Sequence, residues 1–149
     1  MSSNADRATI LIEALRAGLD GDRRSLGRLF TEDVKAWTPA QSASSVGELL
    51  AEIERRDDAF TEIELEVTPL DVGGDYACAE WSVTMTHSGE LQLRGASSVE
   101  PTGLRIAVSG VTVAEFRGDR ICSLRQYWDE LSVFEQLGLL HDGPSDSEA

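Results

Sequence analysis

The spacing of apolar residues changes near Thr61, and this change constrains the fold more than any other feature of the 149-residue sequence. Before Thr61 the apolar residues recur every three or four positions, which is typical of amphipathic helices. This part predicts helices over 5–19 and from Val46 to about Arg56, with a short helix around Leu26 between them. After Thr61 apolar and polar residues alternate, which is typical of strands with one solvent-facing side.

The second half of the chain predicts a sheet. Alternation indicates strands at 76–87 and 104–116 and a last strand after the turn at 117–119, followed by a closing helix at 130–139. Helices that precede the strands, rather than alternating with them, favour an α+β fold. We therefore predict a cone-shaped α+β barrel, with the N-terminal helices packed in a curved, mostly antiparallel sheet.

Two shorter segments complete this scheme. The short helix is expected to end at 31–33, and a short strand to follow at 34–38, stopped by Pro39. The residues expected to face inward from the short helix and the closing helix are Leu26, Leu29 and Phe30, and Leu131, Phe134 and Leu137.

Charge and composition exclude several classes of partner. The formal net charge of −14 disfavours nucleic acid and anionic membranes, which repel an acidic chain. The apolar run at 10–12 is too short for a signal peptide or a membrane span, so we expect a cytoplasmic protein. Cys78 and Cys122 are expected to be buried thiols, and the widely spaced cysteines and histidines give no metal signature. Residues 141–149 are expected to form a disordered acidic tail.

The last strand carries the candidate catalytic group. Alternation places Arg125, Tyr127 and Asp129 on one of its faces and the intervening residues on the other. A cation, a phenol and a carboxylate are costly to bury unless they pair or face a cavity, so we interpret this face as the lining of a pocket. Asp129 is then a candidate base, and its alternative role is the N-cap of the closing helix. Arg125 is expected to bind a substrate carboxylate or enolate, or to pair with Asp129 or Glu80. Tyr127 is expected to donate to an oxyanion or to pack.

The middle strand supplies a second set of candidates. Trp81, Val83, Met85 and His87 share one face by alternation, and we expect this face to look into the cone. His87 is a candidate second acid/base or a hydrogen-bonding anchor, and the alternative is a histidine satisfied near the surface. Trp37 is expected to form either a wall of the pocket mouth or part of the core.

Several short segments resemble, in their order and spacing, the SnoaL-like polyketide cyclase family. The segments are Thr86–Leu91, Pro101–Gly103, Gly118–Ile121, Asp129 and Gln136–Gly138. That family belongs to the nuclear-transport-factor-2-like superfamily of α+β cones. The resemblance covers most of the chain and implies a single SnoaL-like domain over 1–140.

The resemblance also implies a reaction type. In SnoaL-like cyclases an Asp eight residues after the turn isoleucine is the acid/base of an intramolecular aldol closure, and Asp129 stands eight residues after Ile121. This implies a cyclase, isomerase or dehydratase that needs no cofactor and no metal, acting on a hydrophobic oxygenated substrate such as a polyketide. The family often has Trp where Arg125 stands. A cation beside Asp129 would lower the pKa of the carboxyl group and suit an anion-binding site.

Two alternatives remain. The chain is either a non-catalytic module that binds a small molecule or dimerises, or an enzyme similar to limonene-epoxide hydrolases, whose Arg-x-Tyr-Phe-Asp resembles 125–129. Those hydrolases also need an Arg and an Asp on the middle strand, where Trp81 and Val83 stand, so this alternative ranks below the cyclase type. The fold further implies a homodimer that pairs through the polar sheet face, for which Ser82, Thr84 and Thr112 are the expected residues.

Overall fold

The computed structural model describes residues 4–57, 59–93 and 97–140, and these ranges contain four helices and eight strands. The helices are α1 (Asn4–Asp20), α2 (Arg23–Leu29), α3 (Val46–Asp57) and α4 (Glu130–Gln136). The strands are β1 (Phe30–Trp37), β2 (Ser42–Ala43), β3 (Phe60–Leu70), β4 (Tyr76–His87), β5 (Leu91–Gln92), β6 (Ser98–Val99), β7 (Arg105–Arg117) and β8 (Arg120–Trp128).

One curved, open sheet of six strands organises the molecule. Its order is β2-β1-β8-β7-β4-β3, and β5 and β6 form a separate two-stranded ribbon. Neighbouring strands in the large sheet are antiparallel except β1 and β8, which pair in parallel. The predicted α+β fold with a curved, mostly antiparallel sheet is therefore confirmed.

The two faces of the sheet have different surroundings. The face that packs against α1–α3 is called the inner face below, and the opposite one the outer face. Small residues of β4 and β7, among them Ala79 and Ala114, let helices approach the inner face closely, and Leu11 and Leu26 are fully buried there. A second buried cluster joins Ile106 of β7 to α4. The inner face is thus covered by helices from two ends.

The first strand begins earlier than the alternation indicates. Phe30 starts β1 and pairs with Ile121 of β8, whereas it was predicted to face inward from the short helix, with the helix end at 31–33. Phe30 lies four residues after Leu26, so a helical period continues through it in the sequence. The parallel pairing with a strand about 90 residues later overrides that local pattern.

The orientation of α4 also differs from the prediction. Leu131 is 62% exposed, and the buried residues are Val133 and Leu137. The helix begins after Asp129, and Gly138, with a φ of 76°, follows its C-cap. Val133 and Leu137 are four residues apart, lie on one face of this short helix and pack against β7. Leu131 lies outside that face and points to solvent.

The remaining expectations concern local features. Both cysteines are half-buried rather than fully buried, and burial raises the pKa of the Cys78 thiol. The helices of the described residues include none long and apolar enough to cross a membrane. The expected disordered tail, 141–149, lies outside the described residues.

Candidate functional site

Arg125 and Tyr127 lie on the outer face of β8, not inside the cone. Both side chains are exposed, and they pair across the sheet with Val113 and Val111 of the outer face. The prediction that this face lines a pocket was wrong. Leu124 of β8 and Ala36 of β1 are buried under the helices, and alternation then directs residues 125 and 127 outward.

Trp37 shares this outer position. It is 43% exposed, and its ring packs against Tyr127 at a centroid distance of 5.3 Å. It is therefore neither core nor a wall of the interior. Within the described part of the chain, Arg125 forms no salt bridge with Asp129 or with Glu80.

Asp129 is the N-cap of α4. Its Oδ1 accepts the backbone N–H of Ser132 at 3.1 Å, and the side chain is exposed. The capping alternative is thus confirmed. Asp129 nevertheless follows Trp128 directly, and Trp128 belongs to the inner face.

The prediction that Trp81, Val83, Met85 and His87 share the cone-facing side of β4 is confirmed. Trp81 pairs with Gly110, Val83 with Val108 and Met85 with Ile106 across the strand pair. Trp81 and Met85 pack against the cluster that α4 covers. Val83 and His87 are buried, whereas Trp81 and Met85 keep part of their surface accessible.

His87 is held at the buried end of this row. Its side chain is 0% exposed, and its Nδ1 accepts the backbone N–H of Thr102 at 3.2 Å, with the Thr102 hydroxyl at 3.0 Å. Phe60 packs against the ring at 5.6 Å. An Nδ1 that accepts leaves the proton of the neutral ring on Nε2, which is buried and has no hydrogen-bond partner among the described residues. His87 therefore anchors the turn at 101–103, and its fully buried ring is not accessible to solvent.

A polar cluster on the inner face, formed by Trp81, Thr112 and Gln126, was not predicted from the sequence. Thr112 is 0% exposed, and its hydroxyl oxygen accepts the indole N–H of Trp81 at 2.9 Å and the amide N–H of Gln126 at 3.1 Å. The expectation that Thr112 points outward was wrong. The alternation in β7 is ambiguous there, because Val111 and Val113 make the opposite face equally apolar.

Gly110 makes room for two tryptophans beside this cluster. Trp81, Gly110 and Trp128 lie in one row across β4, β7 and β8. A Cβ at Gly110 would collide with the carbonyl oxygen of Tyr127 and lie 2.6 Å from Trp81 Cζ2. The two indoles meet edge to face at a centroid distance of 6.1 Å. A glycine inside a strand marks such close approach, and it was the signal in the sequence that could have revealed the site.

We refer to Trp81, Gly110, Thr112, Gln126 and Trp128 as the inner aromatic site. It lies where the cluster under α1–α3 gives way to the cluster under α4. Trp81, Gln126 and Trp128 keep accessible surface although they lie on the helix-covered face. The two indoles and the amide are therefore partly accessible to solvent at this point of the inner face.

Carboxylates lie at the edge of this surface. The indole N–H of Trp128 donates to Glu130 Oε1 at 2.8 Å, and Asp129 is the residue between them. Two cavities formed wholly by described residues lie elsewhere, one beside Ala8, Leu70 and Tyr76 and one beside Glu62 and Arg105. Because Trp128 binds Glu130, the inner aromatic site brings aromatic and amide groups close to carboxylates.

Comparison with known proteins agrees with this architecture. Residues 9–137 match the model of the SnoaL-like polyketide cyclase family. The chain belongs to this family. No curated protein matches the sequence.

Solved structures resemble this SnoaL-like protein over most of its length. A proposed SnoaL-like polyketide cyclase from Jannaschia sp. CCS1 is 18% identical, with a TM-score of 0.80 over 95% of this chain and 97% of that chain. AclR, a proposed hydroxylase from Streptomyces galilaeus, is 23% identical, with a TM-score of 0.76 over 93% and 100%. An epoxide hydrolase of M. tuberculosis, similar to limonene-epoxide hydrolases, is 14% identical, with a TM-score of 0.68 over 90% of each chain. At these identities the likeness shows the fold, and the family membership supports a small-molecule enzyme of the cofactor-free type.

Proposed function

We propose that this SnoaL-like protein catalyses a cofactor-free proton transfer, of the cyclase, isomerase or dehydratase type, on a hydrophobic oxygenated molecule such as a polyketide. The observation that carries the proposal is the inner aromatic site. Water reaches two indoles and an amide on a sheet face that helices otherwise cover. A mostly apolar lining with a few polar groups is typical of small-molecule sites.

The proposed acid/base is Asp129. Removal of a proton next to a carbonyl needs a carboxylate within reach of that proton and donors for the enolate oxygen that forms. One oxygen of Asp129 is engaged by the Ser132 N–H, and in the described part of the chain the other accepts no hydrogen bond. That oxygen is free to take up the proton of a substrate that lies on Trp128, and the remaining amide N–H of Gln126 is available to the substrate oxygen.

Substitution of Asp129 by Asn tests this role without loss of the cap. Asn caps helices as well as Asp does, so the variant is expected to unfold at the same temperature. We expect the exchange of α-protons for deuterium in aromatic β-diketones and β-hydroxy ketones, followed by NMR, to fall about 100-fold or more.

Asp22 provides the matched control. It caps α2 by accepting the Ser25 N–H at 3.2 Å, far from the inner aromatic site, and Asp22→Asn should leave the exchange unchanged. An Asp129→Asn variant as active as the unsubstituted protein would remove Asp129 from the mechanism. Binding of these ketones without any α-proton exchange would contradict the proposed enzymatic function and favour a non-catalytic binding module.

The binding module is the second candidate because Asp129 is exposed and committed to a cap. The epoxide-hydrolase type is less well supported, since Trp81 and Val83 occupy the inner face where an Arg and an Asp would be needed.

We also propose that the protein is cytoplasmic and forms a homodimer through its outer face. The expected contacts are Ser82 and Thr84 on the outer face of β4, two strands away from Arg125 and Tyr127 of β8. A molar mass of a single chain at micromolar concentration would contradict the dimer.

A further inference from the structure

We propose that Gln126 selects the substrate by forming hydrogen bonds to a neutral hydroxyl–carbonyl pair on a flat ring. Thr112 and Trp81 hold the Gln126 amide in place. This inference rests on the proposed function, because it names the chemical class that the same site takes. It adds a specificity-determining residue and two positioning residues to the acid/base.

Gln126 is the polar group of the inner aromatic site that remains available to a ligand. Its amide nitrogen donates one hydrogen bond, to Thr112. Its Oε1 has no partner among the described residues and is not among the buried unsatisfied atoms, so it lies next to open space. One acceptor and one N–H donor of the same planar amide therefore have no partner among the described residues.

The amide is held in place by its neighbours. The indole N–H of Trp81 can only donate, so the oxygen of the fully buried Thr112 must accept from it. The same oxygen also accepts from Gln126, which ties the amide to a group that is itself fixed. A preorganised donor and acceptor recognise a ligand at lower entropic cost than a mobile side chain does.

The surroundings decide which ligand chemistry fits. Trp81 and Trp128 offer aromatic surface beside the amide, which suits a flat, unsaturated ring. Asp129 and Glu130 at the edge and the net charge of −14 disfavour an anion such as a free carboxylate. A neutral group that both accepts and donates, such as a β-hydroxy ketone or its enol, satisfies both free atoms of the amide.

Equilibrium binding with three related ligands tests the inference separately from catalysis. The ligands are an aromatic β-hydroxy ketone, the same ketone without the hydroxyl group, and the corresponding carboxylic acid, and the readout is quenching of tryptophan fluorescence. The unsubstituted protein should prefer the β-hydroxy ketone over both analogues. Gln126→Met keeps the length of the side chain without its polar atoms, and it should lower affinity for the β-hydroxy ketone about tenfold and leave affinity for the deoxy ketone unchanged.

Thr112 supplies the test of positioning. Thr112→Val removes the oxygen that holds Gln126 and should reduce the preference for the β-hydroxy ketone, whereas Thr112→Ser keeps the oxygen and should restore it. Equal affinity of the unsubstituted protein for the hydroxy and deoxy ketones would overturn the inference, and so would unchanged discrimination in Gln126→Met. Asp129→Asn should keep the preference for the β-hydroxy ketone over the deoxy ketone, so a failure of the acid/base proposal appears in turnover and a failure of this inference appears in that preference.

Discussion

The two faces of β8 carry different chemistry in different surroundings. On the outer face Arg125 and Tyr127 are exposed, and Tyr127 packs against Trp37. On the inner face Gln126 and Trp128 are half-buried, and both make hydrogen bonds to neighbouring side chains. The more conspicuous residues, a cation and a phenol, therefore face solvent, and the ordinary amide faces the interior.

This difference shows which face of such a sheet is better suited to bind a ligand. A charged group in solvent interacts weakly, because water screens it and competes for its hydrogen bonds. A half-buried amide beside two indoles meets less competing water than a fully exposed group does, so its hydrogen bonds to a ligand are worth more. We therefore expect substitutions on the inner face to change stability or ligand binding, and equivalent substitutions on the outer face of β1 and β8 to change little.

The largest contrast is expected between two tryptophans. Trp81→Ala removes a mostly buried indole and its hydrogen bond to Thr112, and it should lower the free energy of unfolding by about 3 kcal/mol. Trp37→Ala, on the outer face and 43% exposed in the described chain, should lower it by about 1 kcal/mol or less. Urea unfolding of both variants measures the difference, and equal losses would show that the two faces are packed alike.

Gly110→Ala is expected to have the next largest effect. The added Cβ meets a backbone carbonyl and the Trp81 ring, so the strand must shift, at a cost of about 2 kcal/mol. Gly27 in α2 is the matched control, since a Cβ there meets nothing within 4 Å. Gly27→Ala should stabilise the protein by about 0.5 kcal/mol because alanine favours the helix. A neutral Gly110→Ala would mean that the two indoles do not depend on this glycine.

Much of the sheet is predictable from the sequence, because alternation is a local property. The strand predicted at 76–87 matches β4, and the one predicted at 104–116 differs from β7 by one residue at each end. Alternation in β8 also grouped its residues correctly into two sets. It did not indicate which set faces the helices, since that depends on the parallel pairing of β8 with β1, which joins distant parts of the chain.

The candidate site was less predictable for the same reason. Asp129 was correctly identified as a possible cap from its place between a strand and a helix. Thr112 was placed on the wrong face because both sides of β7 are apolar around it. Gln126 has no distinctive sequence pattern, and its interest arises only from the hydrogen bond to Thr112 and the indoles that surround it.

The smallest effect is expected for Arg125→Gln on the outer face. The side chain is exposed and forms no salt bridge with Asp129 or Glu80 in the described chain, so its removal should change the free energy of unfolding by less than about 0.5 kcal/mol. Affinity for the β-hydroxy ketone should remain the same, because the sheet separates Arg125 from the inner aromatic site. Fluorescence titration measures that affinity, and Gln126→Met on the opposite face of the same strand is the matched comparison. A tenfold loss of affinity in Arg125→Gln would contradict the separation of the faces and would show that Arg125 takes part in ligand binding.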